Sequence, residues 1–175
     1  MKSARTFVAF GFAAVAATLL GACAPTLDWR EVRPEGSDAQ ALFPCKPELL
    51  SRPAGGAHAP GRMGLAQCKA GGASFSLSWA EVADPAQVAP ALRQMRESLA
   101  TKLAAKPGEL LPVQVAGMTP NPEAQMQTLL GANQSAQVAV FTRGQLVYQA
   151  MLLSPKPDAA GWQTFLAALK LGGAQ

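Results

Sequence analysis

Ala73-Ser74-Phe75-Ser76-Leu77-Ser78-Trp79, residues 73–79, sets three apolar side chains in strict alternation with serines. A period of two is that of a β-strand, whose successive side chains point to opposite faces, so this segment offers one face to a core and one to water. Gly71-Gly72 links it to Met63 through Lys69. A glycine pair between two such runs reads as the tight turn of an antiparallel hairpin. Directly after the strand the period changes. In Asp84-Pro85-Ala86-Gln87, Asp84 can cap a helix, Pro85 suits its first turn and Gln87 stands at the capping-box position. Val88, Leu92, Met95, Leu99 and Leu103 then recur in steps of three and four, an apolar helical stripe. Pro90 either kinks the first turn or marks the true start. The helix is expected over 85–106, with Lys102 and Lys106 near its negative end and Pro107-Gly108 terminating it. It is expected to pack on Phe75, Leu77 and Trp79, leaving Ser74, Ser76, Ser78 and the 52–61 loop as a contact surface.

Outward from this centre, further strands are expected at Gln125 to Leu130, Gln137 to Arg143 and Gln145 to Leu153, with turns at 131–135 and at Arg143-Gly144. Asp158 caps a last helix that buries Trp162, Phe165, Leu166 and Leu169. Upstream, Leu27 to Val32 can add a strand with Trp29 as a packing anchor. Residues 34–38 form a turn cluster, and Ala41-Leu42-Phe43 is a short apolar run. From Arg52 to Gly61, glycine, proline and alanine predominate, as in an exposed loop. Strands and helices in this order predict an α+β domain over 41–172, an antiparallel sheet of about six strands with two main helices packed on it.

The N-terminus carries a different signal. Lys2 and Arg5 precede an apolar run from Phe7 to Leu20, which ends in Leu20-Gly21-Ala22-Cys23. The run is shorter than the ~20 residues of a membrane span and has the charged start and small-residue exit of a secretory leader. Its end resembles a bacterial lipoprotein lipobox: an aliphatic Leu20, small Gly21 and Ala22, then the Cys23 thiol. The resemblance implies residues 1–22 as a cleaved signal peptide, Cys23 as the lipidated residue and 23–40 as a short tether. A cut of the Ala-x-Ala type at Ala22-Cys23-Ala24 is the rival reading. Multiple acyl chains would anchor the domain firmly, each buried methylene contributing about 0.8 kcal/mol. In the lipoprotein family the residue after the cysteine directs sorting. Ala24 in place of an aspartate implies the periplasmic face of the outer membrane rather than the inner one.

With Cys23 assigned to lipid, Cys45 and Cys68 remain, an even number for an oxidising compartment where disulfides persist. A structural Cys45–Cys68 disulfide is expected, with two free thiols as the alternative. Their spacing is unlike the CxxC of redox catalysts. Loss of Lys2 and Arg5 with the leader reduces 15 basic residues to 13 against 11 acidic ones, a net charge of +2. That is too mild to argue for nucleic acid. Arg93, Arg96, Lys102 and Lys106 are spread around the helix axis at about 100° per residue, as on a solvated helix surface.

The order of elements resembles the PsbP-like fold, a superfamily of periplasmic, lumenal and cytosolic binding domains. The resemblance rests on Phe43-Pro44, the hairpin, the helix at 85–106, the run from Val138 to Ala150, and the closing Phe165-Leu166-Ala167-Ala168-Leu169-Lys170-Leu171. It implies a binding or assembly module without cofactor chemistry. It transfers no functional residue, because the matching positions are core positions.

A search for catalytic chemistry yields little. His58 is the single histidine, so any Ser-His dyad or histidine metal site would need it, yet it stands in the glycine- and proline-rich loop. No G-x-S-x-G elbow, phosphate loop or zinc spacing occurs. Asp84 and Asp158 have sufficient explanation as helix caps. Phe75 and Trp79 read as core rather than as walls of a ligand groove. No catalytic, cofactor-binding or metal-ligating residue is therefore assigned. Two function classes follow: a non-catalytic binding or assembly module of the cell envelope with a protein partner, or a carrier of a small apolar ligand such as a lipid or quinone. An exposed apolar patch favours the first, and an enclosed apolar cavity the second.

Overall fold

The computed structural model describes residues 27–52 and 61–172. In chain order its strands are β1 (Arg30–Val32), β2 (Ala39–Phe43), β3 (Glu48–Arg52), β4 (Met63–Ala70), β5 (Ala73–Glu81), β6 (Lys106–Pro107), β7 (Leu111–Pro112), β8 (Gln125–Leu130), β9 (Ser135–Arg143), β10 (Leu146–Ser154) and β11 (Lys170–Leu171). The helices are α1 (Val88–Lys102) and α2 (Ala159–Ala167). The fold is α+β, and its main sheet has eight strands instead of about six. The order is β3-β4-β5-β10-β9-β8-β6, with β7 also paired to β8, and β1-β2-β11 form a separate small sheet. The additional strands are two to five residues long, too short to show a period.

Gly71 and Gly72, at φ of 58° and 78°, make the turn between β4 and β5. Positive φ at both central residues matches the right-handed twist of the flanking strands and favours glycine. One residue beyond Met63, Gly64 pairs with Trp79. A Cβ on Gly64 would fall on the indole ring, so the missing side chain is what lets Trp79 lie across β4.

The sheet is a middle layer with a core on each side. Every residue from Ser135 to Thr142 of β9 is buried. Ala139 and Phe141 join Phe75, Leu77, Trp79, Tyr148 and the α2 residues Trp162 and Phe165 on one face. On the other face Val140 and Val147 meet Val88 and Leu92 of α1, while Ala136, Val138 and Leu129 meet Leu99 and Leu103. The long helix therefore does not pack on Phe75, Leu77 and Trp79. It lies on the opposite face, over β9 and β10. The serines of β5 point to the helix side of the sheet, as the pairing of Ser78 with Gln149 and of Gln149 with Val140 requires. Ser76 is buried, and Ser74 and Ser78 are half-buried, so they form no open polar face. The physical reason is that β9 and β10 carry apolar side chains on both faces: α2 and the small sheet cover the Phe75 face, and the α1 stripe buries its apolar area on the other.

Asp84 caps as expected, its Oδ1 accepting the Ala86 N–H at 2.8 Å, but it opens a short 3-10 turn, Pro85–Gln87. Gln87 makes no side-chain capping bond. Pro90 falls in the first turn of α1, where its missing N–H has no partner to lose. The helix stops at Lys102, four residues before the expected end at 106. Ala104 adopts a positive φ of 45°, and Lys106-Pro107 pairs with β8. The last helix also ends sooner. Asp158 caps it through the Gly161 N–H at 2.9 Å, and Trp162 and Phe165 are buried. Leu169 lies past its end, and Lys170-Leu171 pairs with β2 as β11.

Phe165 stands edge-on to Phe43 and Phe75 at centroid distances of 5.2 and 5.6 Å, which joins α2 to both sheets. Trp29 packs edge-on against Phe75 at 5.8 Å. The small sheet is latched at its turn by Tyr148, whose hydroxyl donates to the Ser37 carbonyl at 2.7 Å in the fully buried interior. Ser37 Oγ in turn donates to the Pro34 carbonyl and accepts from the Ala39 N–H.

Candidate binding surface

Among the described residues β3 is the one five-residue strand whose every residue is exposed. It pairs only with β4 and forms an edge of the main sheet. The register Leu50–Leu65–Ser78–Gln149 puts Leu50 on the α1 face, and Leu49–Ala66–Leu77 puts Leu49 on the α2 face. Neither helix reaches this far, because α1 lies over β9 and β10 and α2 over β2 and β10. Leu49 and Leu50 are thus 50% and 56% exposed, and Met63, on the Leu50 face, is 39% exposed. Most edge strands carry protection against pairing with another chain, such as internal charges, prolines or bulges. In β3 the charges Glu48 and Arg52 stand only at the two ends, and the prolines 47 and 53 lie just outside it.

A strand that buries so little needs another restraint. Cys45 and Cys68 form a disulfide with their Cα atoms 6.0 Å apart, as expected from the sequence. Cys68 is on β4 beside Gln67, the partner of Glu48. The covalent link therefore holds the chain at the entry to β3 and keeps the exposed strand in register.

Two clefts among the described residues are open at the surface. One of about 370 Å³ adjoins β3 and is walled by Ser51, Arg52, Arg62, Met63 and Trp79. Arg62 is held there by Asp38 at 3.0 Å and by Glu81 at 3.5 Å. A larger one, about 500 Å³, lies at the β4–β5 turn among Lys69, Ser74, Asn133 and Leu153. The space between sheet and long helix, where a carried ligand would sit, is filled by Val88, Leu92, Val140 and Val147.

The perturbed ionisable groups have structural partners. Burial pushes the Tyr148 hydroxyl above its ordinary range, so it stays protonated as the donor to Ser37. The Glu123 carboxyl is held below its ordinary value, chiefly by its hydrogen bond to Arg93 and further by Arg96. Arg93 and Arg96 reach it at 2.6 and 3.3 Å, tying α1 to the segment before β8. Arg96 is thus not on a solvated helix surface. It is 7% exposed, and the sequence pattern missed it because its carboxylate partner is 27 residues away.

Cys23 with its lipobox and His58 lie outside the described residues. Among the described residues no group of three His, Cys, Asp or Glu side chains is placed to hold a metal, and no helix is long and apolar enough to cross a membrane. β3 itself was also missed, since Glu48-Leu49-Leu50-Ser51-Arg52 has neither a clean alternation nor a helical stripe. The prolines on either side were its available signal. Comparison of the chain with protein-family models, curated proteins and solved structures yields no match.

Proposed function

We propose that this chain is a periplasm-facing lipoprotein of the bacterial outer membrane, anchored through acylated Cys23, and that its PsbP-like domain is a non-catalytic binding module whose docking surface is β3. The observation that carries the reading is an apolar edge strand left open on both faces yet pinned by a disulfide. Leu49 and Leu50 are 50% and 56% exposed, so covering what remains would stabilise by roughly 1 kcal/mol each, and their exposure fits a surface reserved for a partner. The carrier reading has less support, because the interior beneath α1 is filled by side chains.

The test places a photo-reactive residue at Leu50 of the full chain in its native envelope, with the exposed Thr164 of α2 as the control position. Leu50 is expected to give a discrete cross-linked product that Thr164 does not. Equal background labelling at both would refute the docking surface. Intact mass of the same preparation tests the anchor: an acylated N-terminus at Cys23 is expected, and an unmodified N-terminus at another residue would overturn it.

A further inference from the structure

We infer that the occupant of the β3 edge is the β3 edge of a second copy of this chain, paired antiparallel about a two-fold axis with Leu50 opposite Leu50. The inference rests on the reading of β3 as a docking surface and names its partner. Glu48-Leu49-Leu50-Ser51-Arg52 is self-complementary in this register: Glu48 of each copy faces Arg52 of the other, and Leu49 faces Ser51. All five residues then pair, and Pro47, just before the strand, has no backbone N–H with which to extend the ladder. Glu48, Leu50 and Arg52 share the α1 face, since they pair with Gln67, Leu65 and Met63 of β4. Opposite residues in an antiparallel pair are about 5 Å apart, which brings each carboxylate beside the other copy's guanidinium. Within one copy Glu48 and Arg52 are four residues apart on a strand, about 13 Å, too far to neutralise each other. Glu48 and Arg52 are therefore matched to each other between copies and not within one. Such a contact is isologous and closes on itself, so it makes a dimer and no filament. It is smaller than the ~1,600 Å² of a standard interface, and a common membrane surface compensates by raising the local concentration.

Charge reversal tests both pairing and register. Full-length lipidated chains carrying donor or acceptor fluorophores at the C-terminus are mixed in phospholipid vesicles, and energy transfer is read. Wild type is expected to associate. Glu48→Arg mixed only with itself sets the introduced arginine of each copy against the other's Arg52, and Arg52→Glu mixed only with itself sets the introduced glutamate against Glu48. Each is expected to weaken association about tenfold. A mixture of the two variants restores both opposite-charge contacts in a crossed sense, since the Glu48→Arg copy then presents two cations to the two carboxylates of the Arg52→Glu copy. It is expected to return transfer to the wild-type level. Thermal midpoints check that each variant is folded, which both exposed positions permit. Absence of transfer in the wild type, or equal transfer in every combination, overturns the self-pairing. If transfer is absent while Leu50 cross-links to a different envelope protein, the docking surface stands and the second copy falls. If both signals are absent, both proposals fall.

Discussion

Removing the disulfide with Cys45→Ala/Cys68→Ala should destabilise the domain and loosen β3 more than the rest. The two cysteines are 23 residues apart. In the chain-entropy treatment a closed loop of that size restricts the unfolded ensemble by about 3.4 kcal/mol at 25 °C. With a urea m-value of about 2 kcal/mol/M, the unfolding midpoint should fall by about 1.7 M. Urea titration followed by tryptophan fluorescence reads this directly, because Trp79 and Trp162 are buried in the native core. Local stability adds a second, independent expectation. Core amides of β9 and β10 exchange through global unfolding and should lose protection by the global amount. β3 has no buried residue, so without the link its amides should exchange through a separate opening. Native-state hydrogen exchange distinguishes the two. A global loss below about 1 kcal/mol would refute the entropic argument. Unchanged protection of the β3 amides bonded to β4 would refute the claim that the disulfide keeps the edge strand in register.

Tyr148→Phe should cost about 1–3 kcal/mol, because the buried Ser37 carbonyl loses its donor; chemical denaturation checks it, and a neutral result would show that the latch does not hold the small sheet. Gly64→Ala should destabilise by about 1–3 kcal/mol through overpacking against Trp79, with a changed indole emission as the accompanying sign. Glu123→Gln should lower stability at pH 7 by leaving Arg96 buried without its countercharge. Because the native Glu123 carboxyl lies below its ordinary value of 4.5, its contribution is complete above that value and disappears as pH falls through the lower, native one. Unfolding curves of wild type and variant should therefore converge at the acid end, and a difference that persists when the carboxyl is fully protonated would refute this origin.

Strand and helix identities in the middle of the domain were legible because their signals are local. The serine alternation of β5, the glycine turn and the steps of Val88, Leu92 and Met95 each follow from the geometry of one element. Gln125–Leu130 was read to the residue. The pairing of Cys45 with Cys68 was legible by count once Cys23 had been set aside for lipid. Element ends were less so. Nothing near Ala104 announces its positive φ, and Lys106-Pro107 becomes a strand only because β8 lies alongside. The candidate surface was the least legible part. Leu49 and Leu50 look like core residues among the hydrophobic positions, and their exposure depends on where both helices stop. The sequence by itself determined that β5 has an apolar face and that α1 has an apolar stripe. Only the tertiary structure decided that the two do not meet: with β9 and β10 apolar on both sides, the sheet became a middle layer, each helix took its own face, and the β3 edge was left beyond the reach of either.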